Sequence, residues 1–353
     1  MPGNLEIAVL YEPSDNTTPP TDSSGRVRHK ERRRTRTRRR WHGPERRQKI
    51  DREHVAEALR ANGYEVSMYE LSDESALLGL AKSKVDLILN MVEAYAGDDS
   101  LEAHVAAFLD LLELRYTGAD PQALFLAQDK ALAKKVFDFH GIRTPRFASV
   151  YRGKLDHVDD LEFPLIVKPA SEDGSVGIDA GAVVRNLREL MERASMIQER
   201  FDCAALIEEF IEGREIYVGI IGNDKPVALP VVEMDLSKLP DDMPKIAGTE
   251  VKWEKGSAAY EATRSAAAKG LGEDVMRRLQ DTALQVYSAL KLRDYGRVDM
   301  RLTPEGRIYV IEANPNPWLA PEAELAIAAG LAGRSYVELI GQIVELALAR
   351  YAA

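Results

Sequence analysis

The chain has 353 residues, 45% hydrophobic and 29% charged, with one cysteine, Cys203, and a net charge of −10. Such a composition suits a globular protein of about two or three domains and excludes an internal disulfide; no apolar run approaches the length that spans a bilayer. The charge is uneven: residues 26–49 hold eleven Arg and two Lys against Glu31 and Glu45, a net +11, so the remainder carries −21.

A strand is predicted from Leu5 to Leu10, ending near Tyr11. Residues 13–47 then read as a long mobile loop, rich in Pro, Ser, Thr and Asp and afterwards in Arg, with nothing apolar to bury. A helix begins near Asp51, with Val55 and Leu59 on one face, and Gly63 ends it. Tyr64 to Tyr69 reads as a strand, Ser75 to Lys82 as a helix and Asp86 to Asn90 as a buried strand. This β–α–β–α–β order predicts a small parallel sheet. Helices are expected at Leu101 to Leu112 and Asp129 to His140, the latter closed by Gly141. Leu165 to Val167 is a short strand leading to Lys168-Pro169. A Gly/Ser loop covers 171–178, a strand Ala182 to Arg185, and a helix Leu187 to Ala194. Ala205 to Gly222 reads as strand, turn and strand. Residues 235–263 form a long irregular connection. Gly272 to Leu290 is helical, Tyr295 to Glu312 a hairpin, and Ser335 to Ala349 a final helix.

Three segments carry chemistry. In Gly296-Arg297-Val298-Asp299-Met300, alternation puts Arg297 and Asp299 on one face. Thr303-Pro304-Glu305-Gly306 is a turn sequence, after which Glu312 and Asn314 share a face. With the turn centred on Pro304 and Glu305, Glu312 is expected opposite Arg297, with Asp299 diagonal to it. Two carboxylates and an amide oxygen suit Mg²⁺, although an ion-paired surface explains the hairpin alone equally well. Two prolines, Pro315 and Pro317, stiffen the exit after Asn314. The second segment is Lys168 followed by Ser171 to Ile178, a cation and a small-residue loop that can offer N–H groups to phosphates, or a plain hairpin loop. The third is Glu208-Glu209-Phe210-Ile211 with Glu215, where carboxylates can accept from ribose hydroxyls, or form a solvated acidic turn.

Together these segments resemble the ATP-grasp superfamily, and within it the D-alanine–D-alanine ligase-like group, over roughly residues 84–330. The resemblance implies an α/β fold: an N-terminal parallel-sheet domain (1–122) and a two-lobed α+β ATP-grasp fold, its lobes at 123–203 and 204–353. By the same resemblance, Lys130 and Lys168 contact the nucleotide phosphates and Gly174, Ser175, Val176 and Gly177 form the lid over them. Glu208 to Ile211 read the base, Glu215 the ribose. Asp299, Glu312 and Asn314 are the metal ligands, Arg297 is the transition-state arginine and Lys252 a further phosphate contact. The implied chemistry is attack of a carboxylate on the γ-phosphate of ATP, then of an amine on the acyl phosphate, with Mg²⁺ or Mn²⁺ in attendance.

The substrate-side motifs depart from the group. Tyr11-Glu12-Pro13-Ser14 stands where those ligases carry Gly-Gly-x-Ser-x-Glu. Gly174 replaces the lid serine, Trp253 its tyrosine partner, and Glu93-Ala94 a His-Gly pair. Pro317-Trp318-Leu319-Ala320 replaces Pro-Gly-Met-Thr, and Ala323 a serine. An amide or peptide bond between amino-acid or peptide-like substrates other than two D-alanines is therefore expected, with Glu12, Glu93, Trp253 and Trp318 as substrate contacts. The runner-up is a nucleotide-dependent binding or regulatory protein, or a polyanion binder, with a ligase-derived body. The basic stretch 26–49 either recruits an acidic partner or offsets an acidic surface, and the lack of aromatics other than Trp41 favours the second. A cytoplasmic setting, no membrane partner and a homodimer, common in similar ligases, complete the expectation.

Overall fold

The computed structural model describes residues 5–13, 48–96, 98–158, 160–172, 174–240, 243–252 and 257–352. The Arg-rich stretch, nearly all of the loop expected over 13–47, and Trp253 lie outside them.

The chain opens with β1 (Glu6–Tyr11), α1 (Gln48–Ala61), β2 (Glu65–Glu70), α2 (Glu74–Leu80) and β3 (Leu87–Asn90). The strands pair in the order β2–β1–β3, all parallel, as the alternating pattern predicts. β1 and β3 are continuous apolar runs because both faces are covered. Ile7 and Val9 join a core with Val55 and Leu59 of α1, whereas Ala8 and Leu10 join one with Leu80 of α2. Gly63, at φ +87°, takes the left-handed turn that ends α1. Then come α3 (Glu102–Leu111), α4 (Pro121–Gln128) and α5 (Lys130–Phe139). The Asp120 carboxylate caps α4 by accepting from Ala123 N, and Asp129 caps α5 by accepting from Leu132 N. The eight-residue α4 was not foreseen.

A second sheet is antiparallel. It comprises β4 (Phe147–Tyr151), β5 (Lys154–Val158), β6 (Leu165–Pro169), β7 (Val183–Val184) and β8 (Ala205–Glu209), in the order β5–β4–β8–β6–β7. The helix α6 (Leu187–Phe201) covers one face. It runs past the expected end at Ala194 because Ile197 and Phe201 prolong its apolar stripe into the core with Val167 and Ile207.

The third sheet holds β9 (Arg214–Ile221), β10 (Val227–Ala228), β11 (Val232–Met234), then α7 (Thr249–Lys252), α8 (Ala258–Ala262), β12 (Ser265–Ala267), α9 (Glu273–Ala289), β13 (Tyr295–Leu302) and β14 (Ile308–Asn314). Its order is β12–β11–β9–β13–β14, with β10 on β9. α10 (Glu324–Leu331) and α11 (Tyr336–Ala352) close the chain. β8 and β9 are neighbours in sequence but belong to different sheets, so residues 210–213 cross from one to the other. The cleft between those sheets is where the chemistry-bearing residues meet.

Candidate functional site

The cleft is lined by Lys168 and Ile166 of β6, by Glu208 and Glu209 of β8, and by Phe210 and Ile211 in the crossing. From the third sheet it receives Glu215, Asp299, Arg301, Ile311 and Glu312; Ser175, Ile178, Ile246, Ala247 and Lys252 complete its wall. Residues predicted from three separate stretches of sequence thus share one cavity.

The hairpin register differs from the expected one by two residues. Arg297 pairs with Asn314 and Asp299 with Glu312, rather than Arg297 with Glu312. Two causes add. The turn spans Thr303 to Arg307, closed by Thr303 N to Arg307 O and Gly306 N to Thr303 O, so it is centred on Glu305. A β-bulge at Ile311, which lies between the partners of Asp299 and Met300, then inserts one further residue. The bulge turns Ile311 and Glu312 together into the cleft. Its consequence is chemical: the two carboxylates face each other directly.

Arg297 grips Asp299 with both arms of its guanidinium, Nε to Oδ1 at 2.7 Å and Nη2 to Oδ2 at 2.9 Å. Its Nη1 donates to Glu324 Oε2 at 3.2 Å. Burial pushes the Asp299 carboxyl above its ordinary value, against the pull of Arg297, and Glu312 adds to the rise. Glu312 is half-buried, which costs its charge, yet Lys130, Lys168 and Lys252 hold its carboxyl below the usual range. Two carboxylates of which one is held uneasily ionised are suited to a divalent cation, whose hard-oxygen preference the pair meets. The side-chain amide of Asn314 has room for a further ligand role: Nδ2 is enclosed without a hydrogen-bond partner among the described residues, and the two ends of the amide are interchangeable. The donor set therefore fits a hard cation that completes its shell from phosphate and water. Among the described residues no group of three or more His, Cys, Asp or Glu forms an all-protein metal cage.

The lysines gather opposite. Lys130 Nζ donates to the Glu172 carbonyl at 2.9 Å and stands 3.6 Å from Glu312 Oε2. Lys168 Nζ lies 2.9 Å from Glu208 Oε2, and Lys134 Nζ 2.9 Å from Glu208 Oε1. Glu208 thus faces two lysines, one at each carboxylate oxygen. Glu215 pairs with Arg301 Nε at 2.8 Å. Lys252, at the end of α7, rests 5.9 Å from the centre of the Tyr217 ring.

The Gly/Ser loop at 174–178 lies against the 247–249 segment. Ser175 Oγ donates to the Ala247 carbonyl at 2.8 Å, and Thr249 N donates to the Ile178 carbonyl at 2.7 Å. From the other side, Arg193 Nη2 donates to the Gly177 carbonyl at 2.6 Å. Gly174 and Gly177 have φ of +62° and +74°, conformations glycine adopts without strain.

Trp318 donates from Nε1 to Asp51 Oδ2, in the first turn of α1, at 2.7 Å. The segment after β14 is therefore tied to α1, beside the N-terminal parallel sheet. Glu12 and Glu93 follow the ends of the parallel strands β1 and β3, both half-buried. Lys134, Arg301 and Glu324 were not foreseen. Lys134 stands one helical turn after Lys130, a spacing that puts both on one face and was the available signal. Nothing local marks Arg301 or Glu324, since their partners lie on other elements.

Residues 130–345 match the family model for the D-ala D-ala ligase C-terminus. The chain belongs to that family. It is 32% identical to the D-alanine–D-alanine ligase of Aquifex aeolicus over 294 residues, 82% of this chain and 92% of the relative. It is 34% identical over 266 residues, 75% of each chain, to the uncharacterized protein y4sG of Sinorhizobium fredii. The fold matches the D-alanine–D-alanine ligase from Bacillus anthracis complexed with ATP, with a TM-score of 0.71, 22% identity and coverage of 99% of this chain and 98% of that one. The ATP-grasp, ligase-like fold read from the motifs is borne out, and as a family member the chain is an ATP-dependent ligase forming C–N bonds. Among the described residues no helix is long and apolar enough to cross a membrane.

Proposed function

We propose that this ligase joins the carboxylate of one amino-acid or peptide-like substrate to the amine of another, and that the pair is not two D-alanines. The convergence of Asp299, Glu312 and Arg297 at a bulged strand pair, opposite Lys130 and Lys168, carries the ligase reading. The replacement of the substrate-side residues, with Trp318 held by Asp51, supports the substrate reading.

In this mechanism a substrate carboxylate oxygen attacks the γ-phosphorus and ADP leaves. The amine nitrogen of the second substrate then attacks the acyl carbon, and phosphate leaves with the former carboxylate oxygen. Such transfers depend on positioning and charge neutralisation. Mg²⁺, for which Mn²⁺ substitutes, would be held by Asp299, Glu312 and Asn314 and would supply charge neutralisation at the phosphates. Lys130 and Lys168 bind the phosphate chain, and Lys252 its γ end. Residues Glu209 to Ile211 orient the base and Glu215 the ribose. Arg297 stabilises negative charge growing at the acyl centre. The lid from Gly174 to Gly177, latched on the 247–249 segment, keeps water from the acyl phosphate. Glu12 and Glu93 supply carboxylates at the strand ends for a substrate amine, and Trp253 and Trp318 shape the acceptor side.

We assign the chain to the cytoplasm. The Arg-rich stretch is read as an insertion that offsets the acidic remainder rather than as a recruiting site, and a homodimer as the assembly. The deciding experiment supplies ATP, Mg²⁺ and pools of amino acids or dipeptides and measures phosphate release. Amine-dependent release that is stronger with a pool other than D-alanine is expected. D-alanine alone as the best substrate would overturn the substrate reading, and ATP binding without turnover on any pool would overturn ligation.

A further inference from the structure

Helix α5 sends two lysines, one turn apart, to the charged groups of the cleft. Lys130 reaches Glu312. Lys134 is fully enclosed, and its Nζ donates to Thr144 Oγ1 at 2.7 Å while standing 2.9 Å from Glu208 Oε1. The other oxygen of Glu208 serves Lys168 at 2.9 Å. Thr144 passes its own hydrogen to the Val310 carbonyl of β14 at 2.8 Å, two residues before Glu312. One helix face therefore touches both sheets that wall the cleft.

Three buried charges are a costly way to hold elements together, and apolar side chains of similar volume generally serve stability as well or better. Burial, opposed by Glu208 and assisted by the like charge of Lys168, brings the Lys134 ammonium down to about 8, so it remains protonated at neutral pH. Glu208, despite its burial, is held below the usual carboxylate range by Lys134 and Lys168. Without Lys134, Glu208 and Lys168 would be a neutral pair, and the field of Lys168 at the cleft would be largely cancelled. With Lys134 the triad carries a net +1 in the wall the phosphates face.

We propose that Lys134 is a positioning residue of the nucleotide site: by holding one oxygen of Glu208 and offsetting its charge, it leaves Lys168 an effective cation for a polyphosphate. This inference rests on the reading of the cleft as the nucleotide site. Lys134 itself touches no substrate; it acts through Glu208 and Lys168.

The test uses the full chain, with Mg–ADP as probe in equilibrium titrations and ATP in steady-state kinetics. In Lys134→Met, the Kd for Mg–ADP and the KM for ATP are expected to rise roughly tenfold or more, the loss of one nearby charge in a partly screened interior. At saturating ATP, kcat should change by no more than about threefold, because the missing interaction is shared by ground and transition states. The double variant Lys134→Met/Glu208→Gln restores the net +1 and should recover most of the affinity, which a merely structural defect would not do. Lys134→Gln keeps hydrogen-bonding capacity toward Thr144 and Glu208 while removing the charge, and should weaken Mg–ADP as Lys134→Met does. Wild-type affinity in Lys134→Gln, or a double variant no tighter than Lys134→Met, overturns the proposal while leaving the nucleotide reading intact. A wild-type chain that binds no Mg–ADP overturns both.

Discussion

Arg297 divides its guanidinium between carboxylates from two elements, Asp299 on its own strand and Glu324 at the start of α10. That fork needs a planar group with donors in fixed directions, which a lysine ammonium cannot reproduce. Alternation in the sequence was enough to place Arg297 beside Asp299. It could not reveal Glu324, because the approach of α10 is a tertiary event. Arg297→Lys is expected to lower kcat by about 10²- to 10³-fold, the usual consequence of losing a preorganised donor at developing negative charge, with a smaller effect on the KM for ATP. Asp299→Asn acts on a different term. It removes one of the two facing carboxylates while keeping size and shape, so turnover should vanish and Mg–ADP binding should lose most of its dependence on Mg²⁺. Steady-state kinetics and metal titrations read the two variants separately. A fully active Asp299→Asn would refute the metal assignment, and an unchanged kcat in Arg297→Lys would refute the role of the fork.

At the scale of elements, local pattern and tertiary demand part company in instructive places. β1 and β3 were legible because burial on both faces leaves continuous apolar runs between amphipathic helices. The hairpin was legible as a hairpin, but its register depended on a five-residue turn and a bulge at Ile311, neither of which alternation encodes. α10 escaped notice for the opposite reason to a weak signal. It is apolar on nearly all sides, since it packs between β9 and α11, and so it shows no stripe. Gly219 on β9 lies so close beneath it that a Cβ there would meet Leu325 Cδ1 at 2.7 Å. The loop at 171–178 was legible from its glycines, but its contact with Thr249 was not. Thr249 Oγ1 donates at 3.1 Å toward the carbonyls of Ser175 and Ile178, and these residues lie some seventy positions apart in sequence. Thr249→Val keeps the volume and removes the latch hydroxyl, while the Ser175 and Ile178 carbonyls keep their backbone donors, Ile178 N and Thr249 N. Loss of such a bond costs about 1 kcal/mol of the closed state, so the lid should open more often. The expected outcome is faster phosphate release in the absence of amine, as water reaches the acyl phosphate, with the amine-dependent rate reduced less. Amine-independent release equal to that of the wild type would show that the latch does not govern access.

For the molecule as a whole, the buried tyrosines offer a test of how far its cores act as one. Tyr116 belongs to the core that joins α3, α4 and α9; its hydroxyl donates to Asp110 at 2.8 Å. Tyr287 donates to the Gly222 carbonyl at 2.9 Å, and Tyr217 and Tyr295 lie in the core shared by the first and third sheets. Burial pushes all four hydroxyls well above their ordinary value of 10. The sign follows directly. Below pH 10 both folded and unfolded chains keep these protons, and nothing changes. Above it the unfolded chain releases them and the folded chain does not, so stability falls, by about 1.4 kcal/mol per pH unit for each tyrosine. Lys134 works the other way. Its folded value of about 8 lies below the ordinary 10.5, so the folded state gains stability as pH rises between the two. Stability should therefore hold or rise slightly from pH 8 to 10 and then drop at about 6 kcal/mol per pH unit. For a total stability of about 5–15 kcal/mol, the chain should unfold within roughly one to three units above pH 10. Tyrosinate absorbance and circular dichroism followed together should change at one midpoint. Tyr287→Phe should make the pH dependence shallower by one proton. Stepwise tyrosinate formation in a chain that stays folded would mean that these rings are reachable by solvent one at a time, and that the cores holding the three sheets do not melt as a unit.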